Sequence, residues 1–245
     1  MPAPRKIRCA VARIADHGGH VYTVELKPET QVPAFRPGQF LHFALDEYVP
    51  SGFWPESRVF SVASNPTERD RLLICYSVNG VFTKRMEQEM QVGSEVWVKL
   101  PYGDFVIEAH PEVVLMAGGT GISAFSAFIG ELSGNRGGRV HLYYGVRNPT
   151  LLLFQEEFDA VLGQAPCFHA TYCLEHGTVE SVKPFSGRVK VRSGILSADF
   201  PVEDGFRASG TIFYLSGPPA MLKVLSNALL TLGAAPERIR VDAWE

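Results

Sequence analysis

One segment in the middle of the chain limits the possible folds more than any other. It reads VVLMAGGTGISA over residues 113–124, an unbroken apolar run followed by a glycine-rich turn and a helical pattern. Such runs are typical of strands buried on both faces of a parallel sheet. Glycines between strand and helix let the backbone approach a phosphate at the helix N-terminus. The segment predicts a nucleotide-binding α/β domain, with a turn required only for tight packing as the alternative.

Strand-like and helix-like segments alternate through the rest of the second half, as expected for a parallel sheet. The predicted strands are 113–119, 139–146, 167–175, 211–217 and 238–244, and the predicted helices are 123–132, 153–163 and 219–233. The strand 139–146 ends near Gly145 and Arg147, where a ribose-binding carboxylate is usual. Arg147 could instead face a 2′-phosphate, or it could be an ordinary surface arginine.

The first half is composed differently, with short β-rich stretches separated by turn signals such as HGG, RPG and SNPT. The predicted strands are 7–16, 20–27, 39–46, 59–64, 72–78 and 95–101, with one helix over 83–90. Six short strands with a single helix favour a closed or nearly closed antiparallel β-barrel. The change of pattern predicts two domains, over residues 1–109 and 110–245.

Composition excludes several classes of protein. The 245 residues are 46% hydrophobic and 20% charged, with a net charge of -3, which is typical of a soluble globular protein and argues against a nucleic-acid binder. No apolar run reaches the roughly 18 residues of a membrane span. The N-terminus lacks the apolar region of a secretory signal. We therefore expect a cytoplasmic protein without a membrane span.

The four cysteines do not form a metal-binding or disulfide framework. Cys9, Cys75, Cys167 and Cys173 match no zinc or iron–sulfur spacing, which suits a reducing cytoplasm. Cys167 and Cys173 could be metal ligands together with His169 and His176. The strand-like alternation of CFHATYC favours a half-buried strand instead, so we expect no metal site.

Two segments of the first half carry candidate binding residues. In RVFSVAS, alternation puts Arg58 and Phe60 on one face of a strand and Val59 and Ser61 on the other. Downstream, GVFT leads from Gly80 into the helix, which makes a second possible anion site at a helix N-terminus. An ordinary strand and a helix capped by Thr83 are the structural alternatives.

The motifs RVFSVAS, GVFT, PYGDF, AGGTGIS, YYGVR and SGPPAM, followed by a terminal aromatic residue, stand in a characteristic order. In order and spacing the chain resembles the ferredoxin–NAD(P)H reductase superfamily over almost its whole length. The resemblance implies an N-terminal FAD-binding barrel and a C-terminal NAD(P)-binding α/β domain. With no cluster spacing among the cysteines, we expect a stand-alone member without an iron–sulfur domain.

The resemblance also implies roles for residues in the barrel. Arg58 would hold the flavin pyrophosphate, Phe60 would pack on the ribityl chain and the ring, and Ser61 would hydrogen-bond near N5. The cofactor-binding residues implied there are Arg58, Val59, Phe60, Ser61, Gly80, Val81, Phe82 and Thr83.

In the second domain, the resemblance implies a site for the nicotinamide nucleotide. Its binding residues would be Gly119, Thr120, Gly121, Ser123, Arg147, Gly217, Pro218 and Met221. Ser216 would lie beside the nicotinamide, Asp242 would assist proton and electron transfer, and Trp244 would shield the flavin. With Ser61, these three residues form the predicted catalytic set. The alternative for Trp244 is a buried residue of an edge strand.

Two departures from the family pattern stand out. The family usually has Pro where Ala124 stands and Cys where Ser216 stands. The missing proline resembles the free-flavin reductases of the superfamily, whereas GVFT and SGPPAM resemble members that hold FAD tightly. Glu175 would repel a 2′-phosphate and favours NADH slightly, while Arg147 and Arg188 keep NADPH open.

The expected function is therefore hydride transfer from NADH or NADPH to bound FAD. Electrons would pass to a separate acceptor such as a ferredoxin, a flavodoxin or an oxygenase component. One alternative is an NAD(P)H:flavin reductase that releases reduced flavin. Another is a non-catalytic subunit of an electron-transfer complex. Lys84, Arg85 and the N-terminal basic residues could form a docking face for an acidic carrier, or a plain solvated surface.

Overall fold

The chain divides into two structural units between Val106 and Ile107, slightly before the junction predicted at residues 109 and 110. The computed structural model describes residues 3–132, 138–177, 179–182 and 186–242. Within these ranges, no helix combines the length and the apolar character that crossing a membrane requires.

The first unit is a six-stranded antiparallel sheet with one helix. Its elements are β1 (Arg5–Asp16), β2 (Val21–Pro28), β3 (Phe40–Ala44), β4 (Arg58–Ser61), β5 (Leu72–Ser77), α1 (Val81–Glu89) and β6 (Glu95–Tyr102). The strands lie in the order β4-β3-β6-β1-β2-β5. Just beyond β4, the amide of Ala63 donates to the carbonyl of Leu73 in β5 at 2.8 Å, so the two ends of the sheet meet. The predicted, nearly closed barrel is confirmed.

Strict alternation fills the barrel. In β1 the inward side chains are Ile7, Cys9 and Val11, and in β6 they are Val96, Val98 and Leu100; all six are buried. Burying an aliphatic side chain of this size stabilises the fold by about 1.5–3 kcal/mol. Helix α1 adds Phe82 and Met86 to the same core. This packing fixes the start of α1 against the barrel.

The second unit is a six-stranded parallel sheet with helices. Its elements are β7 (Glu112–Gly118), α2 (Ser123–Gly130), β8 (Arg139–Val146), α3 (Gln155–Gln164), β9 (Phe168–Leu174), β10 (Val189–Ser193), α4 (Asp199–Glu203), β11 (Ile212–Ser216), α5 (Pro219–Thr231) and β12 (Ile239–Val241). The strand order is β10-β9-β8-β7-β11-β12. The chain therefore builds outward from β7 first on one side and then on the other. Ligands of open α/β sheets bind at the carboxyl ends of the strands where the order reverses, here between β7 and β11.

The predicted parallel α/β domain is confirmed, but the sequence predicts neither β10 nor α4. β10 is an edge strand whose Lys190 and Arg192 interrupt any apolar run. α4 has only five residues, fewer than a helical pattern needs to be recognised. Both elements are held by tertiary contacts, since Lys190 and Arg192 pair with Asp204 and Glu203 at the end of α4.

Candidate functional site

In the barrel, strand β4 presents its two faces as alternation predicts. Arg58 lies opposite Phe43 and faces the core side of the sheet, while Ser61 lies opposite Phe40 on the outer side. Phe60, on the same face as Arg58, is half-buried. Its ring centroid lies 5.9 Å from that of Phe43 and 6.3 Å from that of Tyr76. The ring is therefore held by aromatic neighbours and keeps part of its surface exposed.

The structure brings Arg58 to the start of α1. Its guanidinium lies 5.0 Å from the ring centroid of Phe82, a cation–π contact. The same guanidinium donates to the carboxylate of Glu56 and to the carbonyl of Ser57, both at 2.9 Å. The two candidate segments around Arg58 and Phe82, far apart in sequence, thus form one site.

The helix at this site begins earlier than predicted. Helix α1 starts at Val81 with Gly80 as its N-cap, whereas the sequence predicted a helix over 83–90, and the alternative in which Thr83 is the N-cap is wrong. Thr83 stands in the first turn, where its hydroxyl accepts from the amides of Asn79 and Gly80 at 3.0 and 3.1 Å. Because a helix leaves its first amides without carbonyl partners, the N-terminus next to Arg58 still offers donors to an anion.

Two further observations show room for a ligand on this part of the barrel. A Cβ atom added to Gly80 would meet no heavy atom within 4 Å, so the start of α1 is open. The hydroxyl of Ser64, a few residues after β4, is buried without a hydrogen-bond partner. Buried polar groups normally have a partner. An additional polar group beside this strand would satisfy it.

In the second unit, the glycine turn follows β7 as predicted. Residues Gly119–Ile122 form a 3-10 turn and α2 begins at Ser123. Gly119 is exposed with φ of +54° and has open space around it. Ser123 is buried and Thr120 is half-buried. The exposed backbone at Gly119 is the part of the turn that a phosphate could approach.

Other glycines of this turn serve close packing. A Cβ on Gly121 would lie 2.5 Å from the backbone carbonyl of Ser216, and one on Gly118 would lie 2.5 Å from the sulfur of Met221. A Cβ on Gly217 would lie 2.7 Å from the Met221 Cε. The carboxyl ends of β7 and β11 therefore touch backbone to backbone. The packing alternative holds for Gly118 and Gly121, whereas Gly119 is free for a ligand.

Two predicted catalytic residues meet at the carboxyl end of β11. The hydroxyl of Ser216 donates to the Asp242 carboxylate at 3.0 Å, and both residues are more than 90% buried. Burial raises the pKa of Asp242 to about 6, and the Ser216 hydrogen bond opposes part of that shift. Asp242 itself follows the short edge strand β12. Trp244, predicted to shield the flavin, falls outside the described residues.

The residues weighed for phosphate recognition have different surroundings. Arg147 and Glu175 are exposed and follow β8 and β9 at the carboxyl edge of the sheet. Arg188, in contrast, donates to the carbonyls of Ala165 and Leu162 at the end of α3, and to Phe168. The idea that Arg188 could recognise a 2′-phosphate is therefore wrong. Its guanidinium caps a helix C-terminus, as cations often do.

His169 and Cys173 belong to strand β9, and Cys167 and His176 flank it. Cys173 is completely buried in the core cluster of the unit, and His169 stacks against His141 with centroids 5.9 Å apart. In the described ranges, no three His, Cys, Asp or Glu side chains are grouped so as to hold a metal ion.

Sequence reasoning missed two neighbours of these sites. Glu56 pairs with Arg58, and an acidic residue two positions before the arginine could have been recognised in the sequence. No local sequence pattern points to Leu196. Its side chain covers Gly145, where an added Cβ would lie 2.8 Å from the Leu196 Cδ1, and the two residues are far apart in sequence.

Known proteins share this architecture. The family of the oxidoreductase NAD-binding domain matches residues 115–227. The reductase component of propane 2-monooxygenase from Mycolicibacterium smegmatis is 28% identical over 222 residues, covering 88% of this chain and 61% of that protein. An NAD(P)H-flavin reductase from Vibrio harveyi is 26% identical over 204 residues, covering 79% of this chain and 81% of that protein.

A solved structure extends the likeness over the full chain. The ferredoxin NADP+ reductase from Neisseria gonorrhoeae, with bound FAD and NADP, matches with a TM-score of 0.73 at 19% identity and covers 99% of each chain. The chain spans between 61% and 67% of the length of four curated reductase components that it matches. The chain thus matches the oxidoreductase NAD-binding domain over residues 115–227, is similar in sequence to reductases over most of its length, and has the two-unit fold of ferredoxin reductase-like proteins.

Proposed function

We propose that the chain is an NAD(P)H-dependent flavoprotein reductase that transfers a hydride from the nicotinamide nucleotide to bound FAD and sends the electrons to a separate acceptor. The observation that supports the proposal is an accessible helix start in each unit that could receive a phosphate. In the first, Arg58 lies over Phe82 at the start of α1. In the second, exposed Gly119 follows β7 at the switch point of the sheet. Two dinucleotides need two such sites.

FAD fits the donor set of the barrel. Arg58 and the amides of Val81, Phe82 and Thr83 would supply a cation and N–H donors for a pyrophosphate. Gly80, whose amide already donates to the Thr83 hydroxyl, would leave room for its approach. Phe60 offers the free part of its ring to an apolar isoalloxazine, and Val59 and Ser61 line the outer side of the same strand. When bound, FAD supplies a hydride acceptor that releases electrons one at a time.

The second unit would hold the nicotinamide nucleotide. The backbone of Gly119, Thr120 and Gly121 would face its phosphates, with Ser123 at the start of α2. On the neighbouring strand, Gly217 and Pro218 would approach the nicotinamide end, above Met221. The buried Ser216–Asp242 hydrogen bond would position a hydroxyl and hold one proton near that end.

NADH is the preferred nucleotide in this proposal. Glu175 at the end of β9 is exposed and would repel a 2′-phosphate. Arg147 at the end of β8 is the remaining cation that favours NADPH, because Arg188 is engaged at the end of α3. In this proposal the preference for NADH over NADPH therefore depends on two opposing charges, those of Glu175 and Arg147.

The proposed acceptor is a ferredoxin, a flavodoxin or an oxygenase component. Support comes from the monooxygenase reductase among the relatives. The Vibrio harveyi protein, an NAD(P)H-flavin reductase, favours the second candidate function, release of free reduced flavin. The four cysteines, all within the described ranges, form no disulfide bond, which supports a reducing, cytoplasmic location. A purely structural subunit would need neither the open Gly119 nor the open start of α1.

Retention of FAD during turnover separates the two candidate functions. The protein is loaded with FAD, desalted and mixed with NADH and ferricyanide. An electron-transfer reductase reduces ferricyanide without added flavin and keeps its FAD through a second desalting step. A flavin reductase loses its FAD on desalting and consumes NADH only in proportion to added flavin. No NADH consumption under either condition would contradict both functions and favour a non-catalytic subunit.

A further inference from the structure

Three adjacent strands of the barrel place two lysines and a histidine side by side on their outer face. Burial and the charge of Lys99 lower the pKa of His42, so at neutral pH the two lysines carry the positive charge of this row. Lys6 in β1 lies opposite Lys99 in β6, and Lys99 lies opposite His42 in β3. Residues directly opposite each other point to the same side of a sheet. The residues flanking Lys6 and Lys99, such as Ile7 and Val98, are buried in the core, so the row faces outward.

Carboxylates do not neutralise this row, although the whole chain has a net charge of -3. Lys6 donates to the hydroxyl of Tyr48 at 2.6 Å, and Lys99 lies 5.3 Å from the ring centroid of Tyr102. In the described part of the chain, neither lysine has an ion-pair partner. Arg8, two residues along β1 from Lys6, shows the contrast, because it pairs with Glu29 and Glu95.

The loop between β3 and β4, residues 45–57, adds an apolar tip beside the row. Its Tyr48 packs edge-on against Trp97 with centroids 5.5 Å apart and lies 5.6 Å from Trp54. Trp54 donates to the Ser57 hydroxyl at 3.0 Å. From this anchored base Phe53 projects with its side chain 100% exposed, and Val49 is 52% exposed. An exposed phenylalanine on a fixed loop is available for burial against another molecule.

We propose that Lys6, His42, Lys99, Tyr48 and Phe53, here called the barrel docking face, bind an acidic electron-carrier protein. Uncompensated cations around an apolar tip match the charged rim and apolar centre of a transient protein interface. The loop runs directly into Arg58, so a protein bound there would lie next to the strand proposed to hold FAD. The inference rests on the proposed function and specifies the surface that the acceptor contacts.

The other basic candidate, on α1, is compensated. Arg85 pairs with Asp46 and with Glu89, each at 3.0 Å. The charge of Arg85 is therefore already neutralised by two carboxylates. That leaves Lys84 as a single exposed cation on this helix, whereas Lys6 and Lys99 lie side by side.

The test compares two electron acceptors at several salt concentrations. FAD-loaded protein with excess NADH reduces either an acidic [2Fe–2S] ferredoxin, used as the probe, or ferricyanide, which needs no docking site. The variants are the double substitution Lys6→Glu/Lys99→Glu and the single substitution Phe53→Ser. Matched controls are Lys27→Glu on β2 and Val92→Ser, both at exposed positions of the same unit.

We expect the double variant to lower kcat/KM for ferredoxin about tenfold at low salt and to flatten its salt dependence. Phe53→Ser should lower it about threefold or more through loss of apolar contact. Ferricyanide reduction should stay unchanged in all variants, which also shows that they fold and bind FAD. Both controls should behave as the wild type.

Several results would overturn the inference, and they differ from failure of the proposed function. If the wild type reduces neither acceptor, the proposed reductase function fails. If it reduces ferricyanide but not ferredoxin, or if charge reversal leaves ferredoxin kinetics unchanged, the docking face is wrong. If Phe53→Ser instead dissociates a dimer and leaves ferredoxin kinetics unchanged, the face joins two copies of this chain.

Discussion

At the scale of single residues, Arg58 is the best-defined ligand candidate of the barrel. Its guanidinium rests on the Phe82 ring and shares a hydrogen bond with the Glu56 carboxylate at 2.9 Å. Both Arg58 and Glu56 are substantially exposed, so this ion pair contributes little to stability. A pyrophosphate arriving at the start of α1 would compete with Glu56 for the same cation.

Replacing Arg58 should therefore weaken FAD binding. Arg58→Ala removes a charge-assisted hydrogen bond of about 1.5–3 kcal/mol, which is roughly ten- to hundredfold in Kd. Glu56→Gln should tighten binding, because it removes the competing negative charge. Quenching of flavin fluorescence on titration measures both, with Arg13→Ala on exposed β1 as the control. Equal Kd values for Arg58→Ala and the wild type would remove Arg58 from the site.

The Ser216–Asp242 pair makes a prediction about pH. The folded state holds the Asp242 proton up to about pH 6, whereas an unfolded aspartate releases it near pH 4. The folded state thus binds this proton more tightly, and Asp242 lowers the free energy of unfolding as the pH rises from about 4 to 6.

Asp242→Asn should abolish that decline while leaving an acceptor for the Ser216 hydroxyl. At pH 7.5 the variant should be more stable than the wild type, by at most about 3 kcal/mol, and the advantage should vanish at pH 4. Urea unfolding at several pH values measures the difference, with exposed Asp104→Asn as the control. A difference that does not change with pH would mean that the carboxylate is not desolvated.

At the scale of elements, two glycines of the turn after β7 have different structural roles. Gly121 allows the backbone of Ser216 to approach, whereas Gly119 has φ of +54° and open surroundings. Gly121→Ala should destabilise the second unit by about 1–3 kcal/mol, because a backbone carbonyl must move. Gly119→Ala should cost about 1–2 kcal/mol from its left-handed conformation alone. Thermal unfolding measures the stability of both variants. An unchanged stability of Gly121→Ala would contradict the close contact between Gly121 and the Ser216 backbone.

Substitutions of Arg188 and Arg147 should have different effects, one on stability and the other on the preference between NADH and NADPH. Arg188→Ala removes the donor at the end of α3 and should lower the free energy of unfolding by about 1–3 kcal/mol, with the NADH/NADPH ratio of kcat/KM unchanged. Arg147→Ala should leave stability unchanged and raise that ratio about tenfold if Arg147 faces a 2′-phosphate. Opposite outcomes for the two variants would reverse the assignment.

Some elements could be predicted from the sequence and others could not, for physical reasons. Buried strands such as β7 and β8 are near-continuous apolar runs, and barrel strands such as β1 alternate, so periodicity alone predicts them. Edge strand β10 and short helix α4 depend on contacts with each other, which no local pattern contains.

The same limit applies to the sites. Motifs with a local mechanism, such as the strand–glycine–helix turn, were predictable from spacing. That Arg188 caps α3 could not be predicted, since the strands that bring Arg188 to α3 are joined through tertiary packing. Similarly, α1 starts at Val81 because Gly80 serves as the N-cap and its amide donates to the Thr83 hydroxyl. The apolar residues Val81 and Phe82 did not indicate a helix start in the sequence.

At the scale of the whole molecule, the chain joins two units of different architecture, and each has an accessible helix start for which we propose phosphate binding. A barrel supplies rigid aromatic and cationic groups around β4, and a parallel sheet supplies an open glycine at its switch point. We propose that the barrel binds FAD and that the second unit binds the nucleotide that reduces it.

The most direct test is the visible spectrum of the FAD-loaded, desalted protein during anaerobic titration with NADH. We expect flavin absorbance that survives desalting and is bleached by about one equivalent of NADH, more readily than by NADPH. A colourless protein after desalting would contradict a tightly bound FAD. A retained flavin that neither nucleotide bleaches would contradict the claim that the two units form a reductase.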